Sequence, residues 1–174
     1  MNSHFLISKW DEVENTLKSR LQQAPLDEWG HIPAVRNRQW ATPNWTIALL
    51  GNDNSLIGFL NIIERELLFD DQEIDASGIN NVIVFNPYRG LGYGEVLMQR
   101  AQEFFTEELK SDIGLLLCAD EVSGFYEKLG WKKFKGPLLY DQPNEKLEWH
   151  QNVYLFSSKV KLDFEKIDLC GLPW

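Results

Sequence analysis

Cysteine is scarce in this chain, and long apolar segments are absent from it. The 174 residues include two cysteines, Cys118 and Cys170, which show no C-x-x-C or metal-ligand spacing. No uninterrupted apolar run approaches the ~18 residues that a membrane span requires. The N-terminus also lacks the charged and apolar regions of a secretory signal. These absences predict a reduced, cytoplasmic protein with no membrane segment and no bound metal, in which Cys118 is a core residue.

Basic residues are also few. The sequence has 17 Lys and Arg against 26 Asp and Glu, which gives a formal net charge of −9. Binding to a phosphate backbone needs clustered Lys and Arg, so we expect no nucleic-acid partner. The acidic balance is compatible with a cationic small substrate that is drawn to an acidic cleft. A general requirement for solubility would explain the same charge equally well.

The apolar pattern predicts one domain, residues 1–174, without internal repeats or linkers. Helices are predicted where apolar residues recur at three- and four-residue steps, and strands where they run continuously or flank turn residues. An amphipathic helix starts near Ser8 and stops before Pro25. Two further helices begin at Glu95 and Val122, and residues 136–151 form a loop. The predicted strands are 5–7, 46–50, 55–66, a strand ending at Phe85, 115–119, 131–134 and 153–157.

One pair of strands is expected to be parallel. The strand through Val82 and the strand through Leu115 are joined by a helix of about four turns, as a right-handed crossover requires. We therefore predict that these two strands are neighbours in a mixed sheet. Leu115–Ala119 is apolar throughout, which is typical of a strand covered on both faces.

A glycine-rich stretch lies between the Val82 strand and the helix that begins at Glu95. Loop N–H groups and the positive end of a helix dipole together suit a pyrophosphate. A P-loop is excluded because no Gly-Lys-Ser/Thr occurs, and a dinucleotide fingerprint is excluded because Glu95 stands at the third glycine position. A simple glycine-rich turn remains the alternative. The stretch consists of Arg89, Gly90, Leu91, Gly92, Tyr93 and Gly94.

This R-x-x-G-x-G sequence, preceded by Asn86-Pro87-Tyr88, resembles the acyl-CoA signature of the GCN5-related N-acetyltransferase (GNAT) superfamily. The later segment from Phe125 to Trp131 resembles the second superfamily signature, Y-x-k-x-G-F/W. A narrower resemblance is to the aminoglycoside 2′-N-acetyltransferases, in residues 56–84 and in the terminal Trp174. The fold that these resemblances imply is a single α/β (α+β) domain. It has a mixed, mostly antiparallel sheet flanked by helices, with a splayed parallel strand pair at the cofactor site.

The resemblance also implies a cofactor, acetyl-CoA or another acyl-CoA, and a role for each matching residue. The loop from Arg89 to Gly94 would bind the pyrophosphate, and the backbones of Val82 and Val84 would pair with the pantetheine amides. An N–H near Asn81 and Val82 would face the thioester carbonyl, and Asn81 and Glu148 would also contact the substrate. Tyr126 matches the tyrosine that protonates the departing sulfur, although a packed aromatic residue on a helix is the alternative.

Asn80 occupies the position where the aminoglycoside enzymes carry a glutamate base. An amide cannot act as a general base, so Asn80 would hold a water that relays the proton, or the base lies elsewhere. Glu148, His150 and Asp75 are the other candidates, and an amine of lowered pKa needs no strong base. Trp174 would contact the acceptor through its terminal carboxylate; the alternative is an anchor packed on the core. Leu172 stands where the aminoglycoside enzymes carry an acidic residue.

These residues predict an acetyl-CoA-dependent N-acetyltransferase that acts on a small, cationic amine. Four tryptophans would line a cleft for an amine with a ring, such as an aminosugar or an arylalkylamine. The alternatives are a transferase for a longer acyl chain and a non-catalytic acyl-CoA-binding module. The oligomeric state stays open, with a homodimer among the alternatives. The four tryptophans are Trp29, Trp40, Trp45 and Trp149.

Overall fold

The computed structural model describes residues 3–174, and these form one mixed sheet of ten strands together with four α-helices. No helix in this range is long and apolar enough to cross a membrane. The strands are β1 (Ser3–Lys9), β2 (Trp45–Gly51), β3 (Leu56–Phe69), β4 (Gln72–Val84), β5 (Ile113–Cys118), β6 (Lys132–Phe134), β7 (Leu138–Gln142), β8 (Glu145–Glu148), β9 (Asn152–Phe156) and β10 (Ile167–Asp168). The helices are α1 (Asn15–Trp29), α2 (Pro33–Arg36), α3 (Tyr93–Glu103) and α4 (Ser123–Lys128).

The sheet contains the predicted parallel pair. Its strand order is β6-β9-β5-β4-β3-β10-β7-β8, with β2 beside β3 and β1 beside β2. Strands β4 and β5 are parallel, in a register that runs from Ala76 opposite Ile113 to Ile79 opposite Leu116. A second parallel pair, β7 with β10, was not predicted. The other registers seen in residues 3–174 are antiparallel, so the mixed and mostly antiparallel sheet is confirmed.

The chain divides into two compact units. The first comprises the residues up to Arg38 with Pro43–Ile62 and Asn80–Ala101, and the second comprises Gln39–Thr42, Ile63–Ile79 and Gln102–Trp174. Each unit has its own apolar core. A single domain over residues 1–174 therefore stays a prediction.

The core of the first unit forms where α1 and the segment around Trp10 pack on strand residues. Its buried members include Trp10, Leu21, Ala48, Phe59 and Ile83. Leu21 and Ala24 are the buried residues of α1, at the three-residue step expected of one helix face.

The predicted ends of α1 were wrong at both termini. Ser8 lies in β1, and the helix starts at Asn15, where the Glu14 carboxylate accepts bonds from the N–H groups of Thr16 and Leu17 at 2.9 and 3.1 Å. The helix also continues through Pro25 to Trp29. Proline removes one helical hydrogen bond but has a helical φ, and Trp29 packs against the core of the first unit. Packing of the following turn therefore outweighs the lost bond.

The predicted loop at residues 136–151 was also wrong, because it contains the hairpin of β7 and β8 in the second unit. The two strands pair from Leu139 opposite Glu148 to Gln142 opposite Glu145. Leu138 and Tyr140 alternate into the core of this unit, while most of β8 is exposed. Two inward-facing side chains were too few to indicate a strand against a polar background.

The C-terminal tail is anchored on the second unit. Arg65 Nη1 donates to the carbonyl oxygens of Leu169 and Leu172, both at 3.0 Å, and its guanidinium lies 5.4 Å from the ring centroid of Trp174. Ala41 N–H donates to the Pro173 carbonyl at 2.8 Å. Trp174 is buried and lies directly on Gly78 of β4. Glycine is needed here because a Cβ on residue 78 would overlap the indole.

We predict that Gly78→Ala destabilises the protein by ~1–3 kcal/mol, which is typical of overpacking a filled site. Urea denaturation measures the loss, and Gly124→Ala is the matched control because nothing lies within 4 Å of its added Cβ. The cost at residue 78 should shrink in a Trp174→Ala background, where the overlap is removed. Equal free energies of unfolding for Gly78→Ala and the unchanged protein would contradict this packing.

Candidate active site

Strand β4 carries one extra residue near its end. A two-residue turn, Asp70-Asp71, joins β3 to β4, so regular pairing would place Ile57 opposite Val84. Instead, Phe85 N–H donates to the Ile57 carbonyl at 2.9 Å. Asn81 has a φ of +54°, a left-handed conformation that asparagine tolerates better than most residues. A one-residue bulge at Asn81 accounts for both observations.

Three uncharged polar side chains form a buried row across β2, β3 and β4 of the first unit. Thr46 lies opposite Asn61 in the β2–β3 register, and regular pairing counted from the Asp70-Asp71 turn would place Asn61 opposite Asn80. Their exposed fractions are 0%, 1% and 8%. Thr46 Oγ1 donates to the Leu60 carbonyl at 3.3 Å, whereas Asn61 Oδ1 has no hydrogen-bond partner among the described residues. Sequence reasoning missed Asn61, although a lone amide within the apolar run of β3 was a usable signal.

The glycine-rich loop follows the bulged end of β4 in the same unit. Gly90 and Gly92 have φ values of +76° and +83°, and nothing lies within 4 Å of the place where either would carry a Cβ. Helix α3 begins at Tyr93, and the N–H groups of Glu95 and Val96 bond to the Gly92 carbonyl. The first N–H groups of a helix have no partner within it, so those before Glu95 are available to a ligand.

Arg89 holds the loop to the first unit. Its Nε donates to the Val84 carbonyl at 2.7 Å, and its Nη2 forms an ion pair with Glu28 Oε2 at 2.7 Å. Both interactions are partly exposed, so the ion pair contributes little to stability. Their effect is geometric, because they tie the start of the loop to the end of β4 and to α1.

Tyr126 lies on α4 of the second unit and is the one buried residue of that helix. Its ring contacts Phe125 and Tyr154, with centroid distances of 5.0 and 6.3 Å. Burial raises the pKa of the Tyr126 phenol well above its ordinary value, and the nearby Cys118 thiol raises this pKa further. The hydroxyl therefore stays protonated at neutral pH, as a proton donor must.

Cys118, at the end of β5, is buried close to the same helix. Burial raises the pKa of its thiol to about 11, against a smaller lowering by a hydrogen bond with Ser123. A thiol in this state is a poor nucleophile at neutral pH. The side chain therefore acts as a core residue.

Two residues of β9 hold α4 and the turn before it. Asn152 Nδ2 donates to Asp120 Oδ1 at 2.7 Å and to Ser123 Oγ at 3.1 Å. Tyr154 Oη donates to Glu127 Oε1 at 2.8 Å. Asn152 and Tyr154 point to the same side of the strand because they are two positions apart. Sequence reasoning missed both residues.

The remaining predicted residues lie in different surroundings. Glu148 is exposed at the end of β8, His150 is exposed just after it, and Asp75 is exposed on β4. Trp174 is buried, so its indole is part of the core. Among the four tryptophans, Trp40 and Trp149 meet edge to face at 6.2 Å in the second unit, whereas Trp29 and Trp45 belong to the first unit.

Comparison with known proteins identifies the family. The family model of the acetyltransferase (GNAT) domain matches residues 43–133, more than half of the chain. The protein therefore belongs to the GNAT acetyltransferase family, as the two signatures predicted. The aminoglycoside 2′-N-acetyltransferase of Mycolicibacterium fortuitum is 25% identical over 96 residues, 55% of this chain, so the narrower resemblance is also found. The match spans about half of that relative's length, 48%.

Solved structures show the same fold. Escherichia coli ElaA has a TM-score of 0.63 at 17% identity, with 88% of this chain and 99% of that chain covered. Escherichia coli YhbS in complex with CoA has a TM-score of 0.61 at 12% identity, covering 98% and 92%. A GNAT acetyltransferase from Brucella melitensis in complex with acetyl-CoA has a TM-score of 0.60 at 12% identity, covering 94% of each chain. CoA and acetyl-CoA are the class of cofactor that the sequence predicts for this chain.

We predict that the two thiols differ strongly in reactivity. Cys170 is exposed, whereas the thiol of Cys118 is buried with a pKa of about 11. At pH 8 a thiol with this pKa is ionised ~10²-fold less than an ordinary cysteine, and its burial limits access, so a disulfide reagent should modify Cys118 at least ~10-fold more slowly than Cys170. The variants Cys118→Ala and Cys170→Ala isolate the two rates. Similar rates in the two variants would contradict the burial of Cys118.

Proposed function

We propose that the protein is an acetyl-CoA-dependent N-acetyltransferase that acetylates the amine of a small molecule. The observation that carries the proposal is the open glycine loop at the start of α3, directly after the bulged end of β4. Acetyl-CoA supplies an activated acetyl group as a thioester, and the roles below are those of the protein's own residues.

The loop fits a pyrophosphate. Its N–H groups before Glu95 precede the first bonds of α3, where the helix dipole favours negative charge. Space is open beside Gly90 and Gly92, so the phosphate oxygens can approach the backbone. Arg89 is engaged with Glu28 and Val84, so its side chain would order the loop rather than neutralise a phosphate.

The end of β4 would bind the rest of the cofactor through its backbone. The parallel register with β5 ends at Ile79, while β4 continues to Val84. Family resemblance assigns the backbones of Val82 and Val84 to the pantetheine amides. The bulge at Asn81 turns the local peptide groups out of the regular strand pattern, as required of an N–H that faces the thioester carbonyl.

The buried polar row would receive the acceptor amine. Thr46, Asn61 and Asn80 are uncharged, so the row would offer hydrogen-bond acceptors without a carboxylate that would stabilise an ammonium ion, and Asn80, its most exposed member at 8%, is where an amine would first reach it. Burial among neutral groups lowers the pKa of an amine, which favours the reactive neutral form. Asn80 and Asn61 would accept N–H bonds from the amine or from an ordered water. Transfer would then need no strong base, and its rate should rise with pH as the amine deprotonates.

Tyr126 would donate the proton that the leaving sulfur requires. Its raised pKa keeps the phenol protonated over the physiological range, and its burial fixes the ring. The raised pKa makes this phenol a weaker acid than an ordinary tyrosine, so it would donate only as the carbon–sulfur bond breaks and the sulfur gains the electron pair. The phenolate oxygen would then take back, through an ordered water, the proton that the attacking amine nitrogen loses, which balances the transfer.

Two alternatives are tied to specific residues. A non-catalytic acyl-CoA-binding module is favoured by the amide at Asn80, because the aminoglycoside enzymes carry a base there. A polycationic aminoglycoside would need carboxylates at the acceptor site, and neither Asn80 nor Leu172 supplies one. We therefore propose a monoamine or diamine as the preferred acceptor, by about tenfold in kcat/KM over aminoglycosides, ~1.4 kcal/mol.

The test is thiol release from acetyl-CoA across a panel of monoamines, diamines and aminoglycosides. With the best acceptor, Tyr126→Phe should lower kcat by ~10²-fold, since general-acid losses are of this size. Its affinity for acetyl-CoA in calorimetry should stay within a few-fold of the unchanged protein, because the hydroxyl acts as the sulfur departs. Tyr140→Phe, at another buried tyrosine of the second unit, is the matched control and should keep its kcat.

Acetyl-CoA binding without transfer to any amine would favour the binding module. Faster release from longer acyl-CoA substrates would indicate a different acyl group. An aminoglycoside as the best acceptor would contradict the proposed role of the neutral row, and an unchanged kcat in Tyr126→Phe would contradict the proton-donor role.

A further inference from the structure

We infer that Asn152 is a positioning residue for Tyr126. The inference rests on the proposed role of Tyr126 as proton donor. Asn152 acts through the turn that precedes α4, and it needs no contact with substrate or cofactor.

Both N–H donors of the Asn152 side chain are used in hydrogen bonds. A side-chain amide carries two N–H donors, and here one reaches the Asp120 carboxylate at 2.7 Å and the other reaches Ser123 Oγ at 3.1 Å. Asn152 is 6% exposed, so losing either partner would leave a buried donor unsatisfied. The bond to Asp120 is charge-assisted, which makes it the stronger of the two.

Both partners lie at the start of the segment that carries Tyr126. Asp120 begins the turn Asp120–Val122, and Ser123 is the first residue of α4. Tyr126 follows Ser123 by three positions, one helical turn later on the same side. Fixing Ser123 therefore fixes the direction in which the Tyr126 ring leaves the helix.

Helix α4 needs this external support. It has six residues, and a helix this short is not stable by itself in water. Tyr154 supplies a second attachment from β9, through its bond to Glu127, the neighbour of Tyr126. The Tyr154 ring also lies beside the Tyr126 ring. Two side chains of β9, two positions apart, thus hold the short helix on either side of Tyr126.

The amide of Asn152 and the carboxylate of Asp120 can be exchanged between the two positions. Asn152→Asp replaces the donor by a second carboxylate that faces Asp120, which breaks the bond and adds repulsion. Combining it with Asp120→Asn restores an amide–carboxylate pair with its direction reversed, and the new carboxylate can still accept from Ser123. A specific positioning role predicts that the exchange recovers what the single substitution loses.

The experiment measures kcat, the KM for acetyl-CoA and the ring resonances of ¹³C-labelled tyrosine. Asn152→Asp should lower kcat by at least ~10-fold, the scale of a misplaced catalytic group, with KM changed less than about threefold. The Tyr126 resonance should shift in Asn152→Asp. The exchanged pair should recover kcat to within about threefold and return the resonance.

A double-mutant cycle with Tyr126→Phe separates this inference from the proposed function. If Asn152 acts through the Tyr126 hydroxyl, Asn152→Asp should lower kcat little further once that hydroxyl is gone. Fully additive losses, or no recovery in the exchanged pair, would overturn the positioning role and leave the proton-donor role intact. An unchanged kcat in Tyr126→Phe would overturn both the positioning role and the proton-donor role. If no amine proves active, an unshifted Tyr126 resonance in Asn152→Asp would still overturn the positioning role.

Discussion

The buried polar row and the apolar core of the first unit both depend on one extra residue in β4. The bulge at Asn81 lets Asn80 and Ile83 point to the same side of the sheet, the side that Asn61 and Phe59 of β3 also face. Without the extra residue, either the polar row or the apolar core of this unit would lose a member from β4. Pairing with β3 continues beyond the bulge, since Phe85 N–H bonds to the Ile57 carbonyl, and the glycine loop follows at Arg89 after the turn Asn86–Tyr88. In the proposed function, the bulge lies between the polar row that would receive the amine and the strand end that would pair with the pantetheine amides.

Uncharged groups dominate the candidate chemistry, despite the acidic composition. Asn61 and Asn80 are amides, and burial holds Tyr126 and Cys118 in their protonated forms. Such groups can bind, orient and donate, but none of them is a strong base. In the proposed function, catalysis would then depend on binding a neutral amine in the correct position relative to the thioester and to the Tyr126 hydroxyl.

The sequence predicted what is encoded locally. The loop from Arg89 to Gly94, the helix after it and the parallel pairing of β4 with β5 follow from a short motif and one crossover length. The extension of α1 past Pro25 could not be predicted, because it depends on the packing of Trp29. The burial of Trp174 was equally hidden, because the indole packs against Gly78 and Arg65, which are far from it in sequence. Asn152 has no signal in the sequence, and only its hydrogen-bond partners and its burial mark it.

The most direct measurement is the affinity of Asn81 variants for acetyl-CoA, determined by calorimetry on folded protein. Asn81→Gly permits the left-handed conformation and should bind within about threefold of the unchanged protein. Asn81→Val opposes this conformation by ~1–2 kcal/mol, so it should bind about tenfold more weakly. Equal affinities of the glycine and valine variants would show that the bulge does not shape the cofactor site, and would contradict the account.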